Sequence, residues 1–199
     1  YMLDIAKLAK KEGIKNVMVT SGYINIPPLE ELTKYIDVFR VDLKGFSEEF
    51  YKKLANAKLQ PVLEMLKYVK QKNCHIEIIN LIIPTLNDNP QEIEKLCRWI
   101  IDNLGDETPI FFSRFYPMHK LTNLPPTPVT TLENAHKIAK KVGLKYVYIG
   151  NVTGHPAENT YCPKCNKIVI GRIGYSITEN NLKNGKCKFC GFKIYGLWE

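Results

Sequence analysis

Short apolar, β-branched runs alternate with helical patterns over the first 150 residues of this 199-residue chain. The runs that read as strands are residues 15–20, 37–43, 75–83, 109–116 and 146–150. Helical spacing of apolar residues predicts helices over residues 29–36, 48–56, 61–71, 91–104 and 132–142. Strands that alternate with helices in this way predict a sheet whose consecutive strands run parallel and are covered by the helices.

The length of each strand–helix unit limits the architectures that are possible. Successive strand–helix units are about 30 residues long, which is the scale of a (β/α) barrel. Five strands are fewer than the eight of a full barrel, so we predict an α/β fold with a partial, TIM-type (β/α) barrel. An open doubly wound sheet is the competing architecture. No glycine-rich dinucleotide turn or phosphate loop follows any of these strands, so neither type of nucleotide site is supported.

Four of the six cysteines form two Cys-x-x-Cys pairs, at Cys162, Cys165, Cys187 and Cys190. This spacing fits a tetrahedral zinc site, so we predict a small zinc ribbon over residues 152–199 that follows the barrel portion, residues 1–151. Asn166 and Gly191 follow the two pairs, where a tight turn favours residues that tolerate positive φ. Four thiols without metal and a redox-active pair are the open alternatives. Four cysteine ligands leave no position for a catalytic metal.

Charge and hydropathy limit the partners that we expect. The net charge is +8, but only four of the 28 basic residues are arginine, and the lysines are scattered over helix faces. We therefore expect no nucleic-acid partner. No run approaches the roughly 18–20 apolar residues of a membrane span, so we expect a cytoplasmic protein without a membrane partner. Cys74 and Cys97 are isolated and are expected in the core.

Polar side chains stand at the carboxyl ends of the predicted strands, where the active sites of barrels gather. Alternation places Asp42 and Lys44 on one face at the end of the second strand. The other candidates are Thr20, Ser21 and Gly22 after the first strand, Asn80 at the third, and Arg114 and His119 at the fourth. We predict that these groups meet at one mouth. A plain turn, a surface ion pair and a solvated loop histidine are the alternatives.

Several stretches of the chain carry a recognisable pattern. They are Val19-Thr-Ser-Gly-Tyr23, Arg40-Val-Asp-Leu-Lys-Gly-Phe46, Asn80-Leu-Ile-Ile-Pro-Thr-Leu-Asn-Asp88, Ser113-Arg-Phe-Tyr-Pro-Met-His119 and Glu158-Asn-Thr-Tyr-Cys162. Together they resemble radical S-adenosylmethionine (SAM) enzymes of the AmmeMemoRadiSam type, which are related to the pyruvate formate-lyase activating enzymes. The resemblance implies a SAM site across the carboxyl ends of the strands of a partial barrel.

The resemblance also implies roles for the strand-end residues. Thr20, Ser21 and Gly22 match a Thr-Asn-Gly-type motif near the amino-acid portion of SAM. Asp42 and Lys44 match an Asp-Leu-Lys pair that contacts SAM.

Three later residues complete this predicted set. By resemblance, Asn80 lies at a strand position used for ribose or carboxylate contacts. His119 matches a histidine near the adenosyl group, and Arg114 lines the pocket. All eight residues are therefore candidates for SAM binding.

The family's cluster motif is absent from the sequence. Radical SAM enzymes of this type bind a 4Fe-4S cluster through Cys-x3-Cys-x2-Cys, and no such spacing occurs here. The resemblance thus predicts the C-terminal portion of a larger enzyme, whose preceding part completes the barrel and holds the cluster. That parent would cleave SAM reductively to a 5′-deoxyadenosyl radical that abstracts hydrogen from an unknown substrate, for which a protein is one candidate. We expect the chain alone to be inactive. The alternative is a stand-alone zinc-ribbon module that binds nucleic acid or protein.

Overall fold

The computed structural model describes residues 1–198, which form two compact units, residues 1–80 and residues 81–198. The first unit holds three parallel strands in the order β1, β2, β3. They are β1 (Val17–Thr20), β2 (Val38–Asp42) and β3 (His75–Ile82), the last of which runs two residues beyond the unit. Its helices are α1 (Met2–Lys11), α2 (Ile26–Thr33), α3 (Glu48–Phe50), a π-helical turn (Tyr51–Ala55) and α4 (Leu59–Gln71).

The two faces of the β1–β3 sheet differ in burial. One, the buried face, carries Phe39, Val41, Ile76 and Ile78, which are almost completely inaccessible to solvent. The opposite, open face carries partly exposed side chains on β2 and β3, while Val17 and Val19 of the edge strand β1 are 58% and 67% exposed. Because side chains alternate along a strand, this pattern follows from the period-two spacing of polar residues in β2 and β3.

The second unit contains a second parallel pair of strands, β4 and β5. Its elements up to this pair are α5 (Pro90–Leu104), β4 (Ile110–Arg114), α6 (Val129–Val142) and β5 (Val147–Gly150). Asn89 caps α5, with its side chain accepting hydrogen bonds from the backbone N–H groups of Gln91 and Glu92. Gly143 ends α6 in the left-handed conformation.

A module of short antiparallel strands, the ribbon module, follows in the same unit. It comprises a 3₁₀ turn (Pro156–Glu158), β6 (Thr160–Tyr161), β7 (Ile168–Ile173), β8 (Ser176–Asn180), β9 (Leu182–Lys183) and β10 (Lys186–Cys187). Strands β6, β7 and β8 form one sheet, and β9 pairs with β10. Tyr146, just before β5, shares a buried cluster with Val169 and Ile194 of the module, and its hydroxyl accepts a hydrogen bond from the backbone N–H of Tyr195.

These observations confirm an α/β fold with parallel strands. The closure of the strands into a partial barrel and the domain boundary between residues 151 and 152 stay predictions. Among the described residues, no helix is both long enough and apolar enough to cross a membrane.

Candidate functional site

The ends of β1, β2 and β3 bring three of the predicted SAM residues to one edge of the sheet. Thr20 closes β1 and pairs in register with Val41, while Asp42 closes β2 and pairs with Ile79 of β3. Asn80 is the next residue of β3. Since the strands are parallel, these carboxyl ends are neighbours, as the sequence predicts.

Register also separates these residues by face. In a parallel pair, residues in register point to the same side, so Asp42 lies on the open face. Asn80, one residue beyond the register partner of Asp42, lies on the buried face, and so does Thr20. The structure therefore does not bring the side chains of Asp42 and Asn80 together in one row, although it places them at the same edge.

Asp42 and Lys44 form an ion pair at this edge. Lys44 Nζ lies 3.2 Å from Asp42 Oδ2, and both side chains are partly exposed. The backbone N–H of Lys44 donates to the hydroxyl of Tyr51 at 3.3 Å, and burial raises the pKa of Tyr51 to about 12. Tyr51 is a residue that the sequence reasoning missed. It lies in the π-helical turn where an unbroken helix over residues 48–56 was predicted, so no periodic signal identified it.

Asn80 is buried, with 2% of its surface exposed. Its Nδ2 donates to the backbone oxygen of Leu43 at 2.8 Å, which fixes the chain between Asp42 and Lys44. Its Oδ1 has no hydrogen-bond partner among the described residues. A buried acceptor without a donor costs free energy, so this oxygen is a site at which a ligand donor or a buried water would be favoured.

The segment Thr20-Ser21-Gly22 forms a tight turn. The N–H of Gly22 donates to Thr20 Oγ1 at 3.1 Å, and Gly22 has φ +75°. A Cβ at Gly22 would lie 2.9 Å from Val62 Cγ1 and 3.0 Å from Val41 Cγ1. Glycine is thus required here both by conformation and by close packing.

A second ion pair lies on the open face, two residues before Asp42 along β2. Arg40 Nη1 lies 3.3 Å from Glu77 Oε2, and His75 Nε2 lies 3.7 Å from Glu77 Oε1. None of these was predicted as a site residue. Their signal in the sequence is the period-two alternation that they share with Asp42, and Arg40 and Glu77 pair in register across β2 and β3.

Arg114 and His119 belong to the second unit. Arg114 Nε donates to the backbone oxygen of Thr127 at 2.8 Å, and its guanidinium lies 5.0 Å from the ring centre of Tyr116. Arg114 therefore anchors the chain that follows β4. His119 is exposed, with φ +54°. Their contribution to a SAM site stays a prediction.

The two Cys-x-x-Cys pairs meet in the ribbon module. Their ligand sulfurs all lie within 4.8 Å of one another, and the Cys162–Cys190 and Cys165–Cys187 separations are 3.5 and 3.7 Å. A tetrahedron with zinc–sulfur bonds of about 2.3 Å has sulfur–sulfur edges of about 3.8 Å, so the four thiolates fit one metal ion. The group could therefore hold a metal.

Each pair is followed by the turn that the sequence predicts. Asn166 and Gly191 have φ +56° and +73°, and their N–H groups donate to the backbone oxygens of Cys162 and Cys187 at 2.8 Å in both cases. Desolvation raises the pKa of Cys187, but hydrogen bonds to the backbone of Phe189 and Cys190 outweigh it and lower that pKa to about 7. Such hydrogen bonds favour the thiolate that a metal requires.

Cys74 and Cys97 lie outside this group. Cys97 is fully buried in α5, and burial raises its pKa to about 12. Cys74 is half-buried before β3, and burial raises its pKa as well. The prediction of a core position is confirmed for Cys97, whereas Cys74 lies only partly buried, because it stands in the turn before β3 and not on a strand or helix.

Comparisons with known proteins point in one direction. A model of the Radical SAM superfamily matches residues 1–100. The uncharacterized protein MJ0808 of Methanocaldococcus jannaschii is 46% identical over 196 residues, which are 98% of this chain and 58% of that protein. The pyruvate formate-lyase-activating enzyme of Clostridium pasteurianum is 32% identical over 104 residues, 52% of this chain and 43% of that enzyme. The chain thus spans about half the length of these relatives.

A solved structure supports the likeness at the level of fold. A domain of pyruvate-formate lyase-activating enzyme from Bacteroides vulgatus superposes with a TM-score of 0.64 at 16% identity. The superposition covers 75% of this chain and 89% of that domain.

Proposed function

The chain belongs to the radical SAM superfamily, and from this premise we propose that it forms part of an enzyme that binds SAM at the carboxyl ends of β1 and β2. The observation that carries the proposal is the Asp42–Lys44 pair at this edge of the sheet. The methionine portion of SAM has one ammonium and one carboxylate group. A carboxylate and an ammonium held 3.2 Å apart on the protein are complementary to that pair of charges.

The residues of this chain bind and orient SAM in the proposal. Asp42 accepts a hydrogen bond from a donor group of SAM, and Lys44 donates one to its carboxylate. Tyr51 and Asn80 hold the intervening backbone through Lys44 N and Leu43 O. The hydroxyl of Thr20 already accepts the N–H of Gly22 and keeps its own hydrogen for an acceptor on SAM.

The cysteines of the described residues do not fit the cluster of radical SAM enzymes. Cys74 and Cys97 are isolated, and the other four are grouped closely enough for one ion. A 4Fe-4S cluster supplies the electron for reductive cleavage of SAM when it is bound. We derive no step through it, and propose that its ligands belong to a part of the enzyme outside these 199 residues.

The exposed edge of the β1–β3 sheet supports the proposal that another part of the enzyme packs against this chain. Strand β1 stands at the edge of the β1–β3 order, and Val17 and Val19 are more than half exposed on its open face. Exposed apolar residues on an edge strand are a liability for a soluble sheet. We propose that a further strand of the same enzyme covers this edge and completes a partial barrel. The chain alone would therefore not cleave SAM.

We assign zinc to the four-cysteine group, because the separations fit one tetrahedral ion and thiolate ligands favour zinc. Its role in the proposal is structural, with the ribbon module serving as a surface for a substrate or partner. Metal analysis of protein purified without chelators should give about one zinc per chain. Cys187→Ser should lose it, and Cys74→Ser, the matched control, should keep it. Iron in place of zinc would contradict the assignment.

The alternative is a stand-alone module that binds nucleic acid or protein through the ribbon module. The ribbon module exposes the aromatic side chains of Tyr175, Phe189 and Trp198, and Lys167 and Lys188 lie 4.7 and 5.4 Å from the ring centre of Phe189. The family match over residues 1–100 favours the enzyme over this alternative.

The affinity for SAM tests the proposed site. The variant Asp42→Asn/Lys44→Gln of the enzyme with its cluster reconstituted should bind SAM at least about tenfold more weakly, because two charge-assisted hydrogen bonds are lost. Glu49→Gln/Lys53→Gln removes another acid–lysine pair, which is exposed on the surface, and serves as the control. Equilibrium dialysis with labelled SAM measures both. Equal affinity in the two variants would contradict the site.

A further inference from the structure

The second unit contains a cleft of about 490 Å³ lined by α6, β5 and the start of the ribbon module. This volume lies in the range of small-molecule sites, which is about 300–1,000 Å³. None of the residues that line it is a candidate for SAM or metal binding. The proposed function therefore leaves this cleft without a role.

One wall of the cleft is positively charged. Glu133, His136, Lys137 and Lys140 line it, and their spacing of three and four residues places them on one face of α6. Lys140 Nζ donates to the backbone oxygen of Lys145 at 2.9 Å, and Lys137 pairs with no carboxylate among residues 1–198. Two ammonium groups thus stand on this wall without an anionic partner.

The negative charge near the cleft is already engaged. Glu133 is the one carboxylate among the lining residues, and its Oε1 lies 3.4 Å from His155 Nε2. His155 Nδ1 accepts the N–H of Ala157 at 3.0 Å, so the ring hydrogen of the neutral form is on Nε2 and points to Glu133. Asp106 and Glu107 pair with the third lining lysine, Lys145, at 3.2 and 3.5 Å.

The other wall is aromatic and fixed. The hydroxyl of Tyr148 lies 3.0 Å from Thr160 Oγ1, and its ring stacks on Phe111 with the centres 4.6 Å apart. The hydroxyl of Tyr161 donates to the backbone oxygen of Pro156 at 3.1 Å. Both rings are held before any ligand arrives, which lowers the entropy lost on binding.

The geometry points to a binding site for a small organic anion, with its carboxylate or phosphate held by Lys137 and Lys140 and its flat apolar body placed against Tyr148 and Tyr161. Burial lowers the pKa of Lys140, and burial together with Lys140 lowers the pKa of His136. A bound anion opposes both effects, since an opposite charge favours the protonated form of both groups. The site is distinct from the SAM residues and does not depend on their assignment.

Titration of the full chain, purified with its metal retained and labelled with ¹⁵N, tests this inference. The probes are phenyl phosphate, phenylacetate and the neutral benzyl alcohol. We expect phenyl phosphate or phenylacetate to shift the amide signals of Lys137, Lys140 and Tyr148 in a saturable manner, and benzyl alcohol to leave them unchanged. The anion that binds more tightly identifies the head group as phosphate or carboxylate.

The lysine pair provides the decisive variant. Lys137→Gln/Lys140→Gln should weaken binding about tenfold or more, because hydrogen bonds to a charged group are lost. Lys67→Gln/Lys70→Gln removes the same charge from α4 and should bind as the unsubstituted chain does. Circular dichroism shows that each variant is folded. No saturable shift with either anion, equal binding of benzyl alcohol, or unchanged affinity of the Lys137→Gln/Lys140→Gln variant would each overturn the inference.

Discussion

Two hydrogen bonds, one buried and one partly buried, hold the backbone that carries the Asp42–Lys44 pair. Asn80 Nδ2 holds the backbone oxygen of Leu43, and the hydroxyl of Tyr51 holds the N–H of Lys44. Asn80 is distant in sequence from Leu43, and Tyr51 falls in the irregular π-helical turn. The pair was identified from its alternation in β2, and Asn80 was identified as a residue at a strand end. The hydrogen bond from Asn80 to Leu43 could not be predicted because it depends on register, and Tyr51 was missed because it lies in the π-helical turn.

Removing the Tyr51 hydroxyl should destabilise this segment. Tyr51→Phe leaves the N–H of Lys44 without its acceptor, and we expect the free energy of unfolding to fall by about 1 kcal/mol. Urea denaturation measures it. Tyr23→Phe, at a side chain that is 52% exposed, is the control and should change stability by a few tenths of that amount. Equal losses in both variants would contradict the role of Tyr51.

Gly22 allows a test that separates packing from backbone strain. Gly22→Ala and Gly154→Ala both place a Cβ on a residue with positive φ, at +75° and +82°. The new methyl group meets Val41 and Val62 at Gly22 but open space at Gly154. Gly22→Ala should therefore lower the free energy of unfolding by about 1–3 kcal/mol more than Gly154→Ala does, as measured by thermal or urea denaturation. Similar costs at both positions would show that close packing at Gly22 is unimportant.

At the level of elements, helix positions were predicted well and their first residues less well. The sequence places α2 at residues 29–36, yet it spans Ile26–Thr33. Pro27 and Pro28 lie in its first turn, where a missing N–H costs nothing. Helix α6 likewise begins at Val129, three residues before the predicted start, directly after Pro128. A proline next to a helical pattern therefore leaves its starting residue ambiguous.

Helix α6 should make stability depend on pH through His136. Burial and the nearby Lys140 lower the pKa of His136 below its usual 6.5 in the folded state. The unfolded chain therefore binds the proton first as pH falls, and the free energy of unfolding decreases below about pH 6.5. The decrease ends once the pH is below the folded pKa.

The variant His136→Gln should lose less stability than the unsubstituted chain between about pH 7.5 and about pH 5.5. Urea denaturation at both pH values gives the difference, and protonation of the metal-binding thiols is common to the two proteins. An identical pH dependence would show that His136 does not titrate differently in the folded state.

At the level of the whole chain, the fold class and the four-cysteine group follow from local patterns. The spacing of Cys162, Cys165, Cys187 and Cys190 needs no knowledge of tertiary structure. Two other features can be seen only in the tertiary structure. The separation of Asp42 and Asn80 onto opposite faces depends on strand register. The cleft beside α6 depends on the packing of the ribbon module on Tyr146, which no periodicity encodes.

Removing the metal should loosen the ribbon module. Its core is small, so we expect a chelator to accelerate amide hydrogen exchange at Val169 and Ile194, both fully buried, by about tenfold or more. Phe39 in β2 serves as the internal reference, and zinc added back should restore the original rates. Unchanged exchange at Val169 and Ile194 after complete metal removal would show that the module is stable without it.

We propose that Asp42 and Lys44, at the carboxyl end of β2, form part of the SAM surface of a radical SAM enzyme. The most direct measurement is 5′-deoxyadenosine formed under reducing, anaerobic conditions by the enzyme that contains them, reconstituted with iron and sulfide. We expect 5′-deoxyadenosine from the unsubstituted enzyme and from Glu49→Gln/Lys53→Gln. At limiting SAM, Asp42→Asn/Lys44→Gln should form at least about tenfold less of it. No product from a fully reconstituted enzyme, or equal product from both variants, would contradict it.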